Sequence, residues 1–382
     1  MANCTSCGRD LPAFSTGRLS TLCRECQASE NSVPALPSIV APEKGSSRIS
    51  LTTILVGINV AVFLLMTLSG VSLMSPTTVQ LVKWGANWGP LSLGRQPWRL
   101  LTSNYVHIGI IHIALNMWCL FNLGALAKRI FDQWTYLLVY TATGIAGSIA
   151  SLWWHPTVVG AGASGAIFGL AGALITALYL ARLPIPKEVV RANMKSLLTF
   201  AGYNLIFGLR LGVDNAAHIG GLASGLALGA FLSQHLTEPV DVRDQRRNHA
   251  LVLSLVLLGA SMLYVRNQHK EFANLANPYD YLGQDQKALD AFRRKDYISA
   301  ATACEKVVQL NPKSERWRLL LGVAYEGSGR PDDAISQFQE LLRLNPKSAE
   351  AESGLAEAYR TKGMDNEAEK ASKKAVELRG GR

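Results

Sequence analysis

The sequence predicts an all-α polytopic membrane protein, with a small cysteine-bearing segment at one end and a helical solenoid at the other. Three observations carry this. Seven apolar runs, each near the roughly 20 residues that cross a bilayer, fill the middle of a 382-residue chain. The chain is 48% hydrophobic and 17% charged, with a mean hydropathy of +0.14, which is oily for a soluble protein. Polar residues collect outside the oily middle, in 1–48 and 266–382.

The runs cover 51–70, 107–126, 135–154, 163–181, 196–213, 215–234 and 249–265. The fifth is the weakest, because Tyr203, Asn204 and Arg210 interrupt it. Residues 1–30 lack the apolar core of a signal peptide. A net charge of +10 would suit nucleic acid. Here the excess sits in short loops between apolar runs, so it reads as membrane topology, with no nucleic-acid partner expected. With the N-terminus in the cytoplasm, the inside segments hold eleven Lys and Arg and the outside segments six. Seven spans then place 1–48 inside and 270–382 outside.

Polar side chains inside the oily region carry the chemistry, since such groups are costly there and tend to be functional. His107, His112 and Asn116 lie at the outer end of the second span, Ser164 at that of the fourth, and His218 at that of the sixth. The charge count did not use these residues, yet it gives them a common depth. His218, Gly221 and Gly225 share one helix face, and Gly229 continues it. Gly165, Gly169 and Gly172 form a similar strip beside Ser164. Small residues at this spacing let membrane helices approach closely, close enough to bring the Ser164 hydroxyl to the His218 ring. A Ser–His pair in hydrogen-bond reach is an activated nucleophile. His112 and Asn116, four residues apart, point the same way, and both can donate to an oxyanion. His107 lies off that face and orients a loop. A lone serine among glycines is ordinarily a packing residue. The partners at common depth turn the reading of Ser164 towards catalysis, while Ser148 and Ser224 stay with packing. No Asp or Glu lies in spans two, four or six, although Asp214 just precedes the sixth. A dyad without an acid is reasonable in lipid, and an ion-coupled transporter is disfavoured.

Three motifs carry a family resemblance: "GASG" at 162–165, "AHIGG" at 217–221, and H-x4-H-x3-N over 107–116. With "WR" at 98–99, the region from about 50 to 235 resembles the rhomboid intramembrane serine proteases. The resemblance implies Ser164 as nucleophile, His218 as general base, and His112, Asn116 and the Ser164 N–H as oxyanion hole. Gly162, Gly165 and Gly221 belong to the matching motifs. Phe168 stands where many members carry a tyrosine stacked on the histidine. The fifth span then corresponds to a mobile lateral gate, and the seventh to the extra helix of six-plus-one members. No cofactor is implied for catalysis.

The N-terminus reads C-x2-C-x15-C-x2-C, through Cys4, Cys7, Cys23 and Cys26. This is close to zinc-ribbon spacing, and four thiolates suit a closed structural Zn²⁺ site. A redox pair and a disulfide pair are the alternatives. At the other end, "LNPKS" recurs at 310–314 and 344–348, a period of 34. With Leu321, Gly322, Tyr325, Ala334 and Phe338 on pattern, this resembles tetratricopeptide repeats: two good units and an earlier, degenerate one in which Cys304 packs. Such repeats bind peptides or proteins, or serve as a spacer.

The expected organisation is 1–30 zinc-ribbon-like, 31–50 linker, 51–235 protease core, 249–266 seventh span and 278–380 repeats. The expected fold is a bundle of six transmembrane helices plus one, with a zinc ribbon before it and an α-solenoid after it. The expected function is cleavage of transmembrane substrates near the outer leaflet, in a bacterial cytoplasmic membrane. The alternative is a membrane adaptor that gathers partners through its two soluble ends.

Overall fold

The computed structural model describes residues 49–181, 183–211, 213–233 and 236–380. The four N-terminal cysteines and the linker lie outside the described residues. Among those described, the chain is helical, with one isolated antiparallel bridge between Asn87 and Gly160.

Helix α1 (Leu51–Leu68) starts at Ser50, whose hydroxyl accepts the Thr53 N–H. A long loop follows, built on three short helices: α2 (Thr78–Lys83), α3 (Gly89–Ser92) and α4 (Arg99–Thr102). The bundle continues with α5 (Ile110–Ile130), α6 (Gln133–Trp154), α7 (Ser164–Leu180), α8 (Lys187–Leu211), α9 (Asn215–Ser233) and α10 (Val240–Gln268).

Of the seven expected spans, α1, α5, α6, α9 and α10 are long and apolar enough to cross a membrane. Helix α7 is apolar but has only 17 residues. Every residue from Gly165 to Leu174 is buried, so α7 is walled by protein rather than lipid and its ends need not reach the headgroups. Helix α8 is longer than the expected fifth span because its first turns carry Lys187, Glu188, Arg191 and Lys195. These are charges that an apolar-run reading leaves outside. Helix α5 starts at Ile110, where the expected second span starts at 107: Gly109 has φ +85°, which stops the helix from extending back to His107.

Helix α7 is the hub. A Cβ on Gly221 would overlap the Gly165 carbonyl, and one on Gly225 that of Gly169. Glycine here sets the backbone spacing, the device by which membrane helices pack without a hydrophobic driving force. The first residues of α5, α7 and α9 lie at one end of the bundle, beside the long loop. Helix α1 begins at the other end, where Thr52 meets the Tyr136 hydroxyl at 3.4 Å.

After a short turn (α11, Lys270–Ala273) come three helical hairpins. They are α12 (Pro278–Arg293) with α13 (Tyr297–Leu310), α14 (Glu315–Gly327) with α15 (Pro331–Leu344), and α16 (Ala349–Thr361) with α17 (Asp365–Gly380). Ser314 and Ser348 cap α14 and α16 in the same way. The Phe338 ring fills the space left by Gly322 and Gly354. The degenerate first unit is nevertheless a full hairpin, with Cys304 fully buried. Its departure is local. Lys295 takes φ +57° at the turn where Gly329 and Gly363 take +76° and +70°.

A non-glycine residue in that region is strained by about 1 kcal/mol or more. Lys295→Gly is therefore expected to raise the stability of a purified 270–380 segment by about 1 kcal/mol. Lys295→Val should lower it, because a β-branched residue fits left-handed backbone worst. Urea denaturation followed by circular dichroism measures both.

Candidate active site

At the loop-bearing end of the bundle, short backbone segments hold each candidate side chain. The Ile108 N–H donates to His112 Nδ1 at 3.2 Å, which leaves the proton of the neutral ring on Nε2. That edge of the ring lies against Gly162: a Cβ on Gly162 would sit 2.6 Å from His112 Cε1 and 3.0 Å from Nε2. Gly162 also has φ +131°, so both space and backbone demand glycine there. Its N–H donates to the Ser103 carbonyl at 2.9 Å. His107 is fully buried; its Nε2 faces the Ala163 N–H at 3.5 Å and its Nδ1 the Tyr105 carbonyl at 3.3 Å. The two imidazoles are 5.3 Å apart and both border the segment that leads into Ser164.

Ser164 is the first residue of α7. The free N–H groups of a helix start, and its dipole, favour negative charge. His218, one turn into α9, is 5% exposed and stacks on Phe168 at 4.3 Å with 11° between planes. Phe168 in turn meets Phe200 of α8 at 5.3 Å. Among the described residues, neither ring nitrogen of His218 has a hydrogen-bond partner, so the Ser164–His218 hydrogen bond is not made in this geometry. The Asn116 amide donates to the His112 carbonyl at 2.9 Å, which occupies one of its two N–H groups.

Beside Ser164 lies a cavity of about 30 Å³, room for about one or two waters. Its lining includes Asn87, Ser103, Asn104, Ser148, Ser151 and Asp214. Ser148, read from sequence as packing, lines this cavity and meets the Ser103 hydroxyl at 3.2 Å. Asp214 accepts the Ser151 hydroxyl at 2.5 Å and the Ala217 N–H at 3.0 Å. That carboxylate is thus bonded to α6 and to the first turn of α9.

Comparison with known proteins follows the same outline. Residues 94–235 match the rhomboid domain, and residues 291–341 and 319–381 match tetratricopeptide repeats. The chain is 34% identical over 208 residues to rhomboid protease AarA of Providencia stuartii, covering 48% of this chain and 72% of that protein. This chain belongs to the rhomboid family. Rhomboid protease GluP of Bacillus subtilis is 38% identical over 182 residues, covering 47% of this chain and 34% of that protein. RHOMBOID-like protein 7 of Arabidopsis thaliana is 37% identical over 164 residues, covering 43% and 52%. The match therefore spans a third to a half of the length of these last two relatives.

Sequence reasoning missed the side chains that this rhomboid places around the cavity. Nothing in "SIAS" distinguishes Ser148 and Ser151 from helix-packing serines until α6 is set against α9. Asp214 stands out in the sequence as an acid just before a span, and the structure gives it a capping and bridging position. Ser151→Ala leaves the buried side of that carboxylate short of a donor, which costs about 1–3 kcal/mol. The expected result is a lower unfolding temperature in detergent. Asp214→Ala should lower it at least as far, since the cap on α9 goes as well.

Proposed function

We propose that this rhomboid is an intramembrane serine endopeptidase, with Ser164 as nucleophile and His218 as general base. The observation that carries the reading is His218: a buried imidazole with two unpartnered nitrogens, packed by Phe168 beside the helix that begins at Ser164. Such a ring has a lone pair ready for a proton and no structural bond to break first.

The Ser164 hydroxyl gives its proton to His218 as the oxygen attacks a peptide carbonyl. The oxyanion gathers the His112 Nε2–H, the Asn116 amide and the Ser164 N–H. When the C–N bond breaks, His218 returns the proton to the leaving amine. Water then attacks the acyl-enzyme, with His218 as base again, and frees Ser164. The polar cavity beside Ser164 is a place for that water in an otherwise apolar bundle. The substrate's peptide bond lies in a transmembrane segment near the outer leaflet, and the segment unwinds locally to expose it. His107 acts through the Ala163 N–H, as a positioning residue. An adaptor function is compatible with the helical repeats, and loss of chemistry separates the two.

Ser164→Ala and His218→Ala are each expected to abolish cleavage of a model transmembrane substrate in proteoliposomes, with folding intact. The double variant should be no worse than either single one, because the pair acts as a unit. Asn116→Ala should lower kcat by at most roughly 10²–10³-fold, the worth of a single oxyanion donor. Wild-type cleavage by Ser164→Ala would end the protease reading.

The N-terminal segment is proposed to be cytoplasmic and to hold one structural Zn²⁺ on Cys4, Cys7, Cys23 and Cys26. The four-thiolate donor set supports it, and a reducing compartment keeps such thiols free. The repeats are then extracytoplasmic, on the side of Ser164. A purified 1–48 fragment should carry one zinc per chain by mass spectrometry and lose its fold on chelation. Reporters fused before residue 50 and after residue 382 should give opposite signals. A folded metal-free reduced fragment, or equal signals at both ends, would overturn the respective half.

A further inference from the structure

The repeat unit does not hang free of the bundle. Its first helix, α12, is seated on the long loop, in one apolar cluster that holds Val82, Trp88 and Leu91 together with Tyr281 and Leu282. Trp88 and Tyr281 are each 1% exposed, with ring centroids 6.2 Å apart. Beside them the Arg99 guanidinium, also 1% exposed, donates to the Val82 carbonyl at 2.6 Å and the Ala86 carbonyl at 3.0 Å. Its remaining Nη2 donates to the Tyr279 hydroxyl at 3.2 Å. Two tyrosines of the repeat unit thus close the back of the loop, one by packing and one by hydrogen bond.

The front of the same loop holds the segment that leads into Ser164. Asn87 and Gly160 exchange both backbone hydrogen bonds at 2.8 Å. The Gly89 N–H donates to the Pro156 carbonyl at 2.8 Å, and the Trp88 indole N–H to the Thr157 carbonyl at 3.2 Å. Val159 packs against the cluster that contains Tyr281. Trp88 is the shared piece: its ring faces the repeat unit, while its N–H and its neighbours on either side fix 156–160.

We infer that α12 is a positioning element of the active-site loop, with Tyr281 and Tyr279 holding Trp88 and Arg99 and thereby the 156–163 backbone. The inference rests on the protease reading for its effect on turnover, but not for its effect on the loop. Neither tyrosine touches substrate or reacting atoms. By linkage, a protein or peptide that binds the repeats and shifts α12 changes turnover at Ser164, and a bound substrate changes affinity at the repeats.

The test uses the full chain in detergent micelles, with Tyr281→Ala, Tyr281→Phe and Tyr279→Phe. Hydrogen–deuterium exchange is read on peptides covering 156–163, with α1 and α17 as references, and turnover is read on a model transmembrane substrate. Tyr281→Ala is expected to speed exchange at 156–163, with α1 and α17 unchanged, and to lower kcat roughly 2- to 30-fold with KM little changed. Tyr281→Phe should restore wild-type behaviour, because it keeps the ring that packs against Trp88. Tyr279→Phe removes one hydrogen bond and should give a smaller change of the same kind; it decides the matter if Tyr281→Ala fails to fold. Unchanged exchange at 156–163 in the folded variants would overturn the inference. Faster exchange in a chain whose wild type cleaves nothing would sustain it and remove the protease reading instead.

Discussion

The contact on which the rest depends is backbone against backbone, between α7 and α9. Gly221 and Gly225 set their Cα atoms on the Gly165 and Gly169 carbonyls, with no room for a methyl group. In lipid, apolar side chains gain little by leaving their surroundings, so helix pairs are held by dispersion at short range. The distance between the two helices is therefore fixed by the absence of side chains. Ser164 opens one of these helices and His218 lies one turn into the other. Any residue larger than glycine along the seam would separate them before it altered their chemistry.

A second constraint acts at the end of the bundle. A loop next to apolar surroundings must satisfy its own N–H and C=O groups. Arg99 does much of this: one side chain serves two carbonyls of the loop, while Thr102 serves the Gly85 carbonyl at 2.8 Å. The bridge between Asn87 and Gly160 then satisfies the segment before Ser164 with loop backbone rather than water. The loop is a hydrogen-bonded lid frame, and the repeat unit leans on its outer side.

The sequence carried the bundle, the glycine seam, the repeats and the three histidines because each leaves a periodic or compositional trace. It lost what depends on burial or on pairing across helices. Helix α7 matches the expected fourth span, but that protein rather than lipid surrounds it leaves no trace in hydropathy. Helix α8 was trimmed because its charged first turns look like loop. Ser148, Ser151 and Asn87 gave no signal, for a serine on a membrane helix has a local bond available in its own turn. The docking of Tyr279 and Tyr281 was equally silent. Residues 180 positions apart in sequence show no common pattern, and Arg99 to Tyr279 is such a pair.

The unpartnered His218 ring is best understood beside Asp214. A buried polar atom without a bond costs about 1–3 kcal/mol, and here two lie on one ring. The carboxylate four residues earlier is engaged elsewhere, one oxygen accepting the Ser151 hydroxyl and the other the Ala217 N–H. Those bonds do two things at once. They fix the first turn of α9, and so the place of His218, against α6. They also hold the carboxylate at the polar cavity beside Ser164. Phe168 and the glycine seam hold the ring in place by packing. Strain of this kind persists only where surrounding packing over-determines it. In the proposed protease, the group left for the imidazole to serve is the Ser164 hydroxyl, at the start of the neighbouring helix.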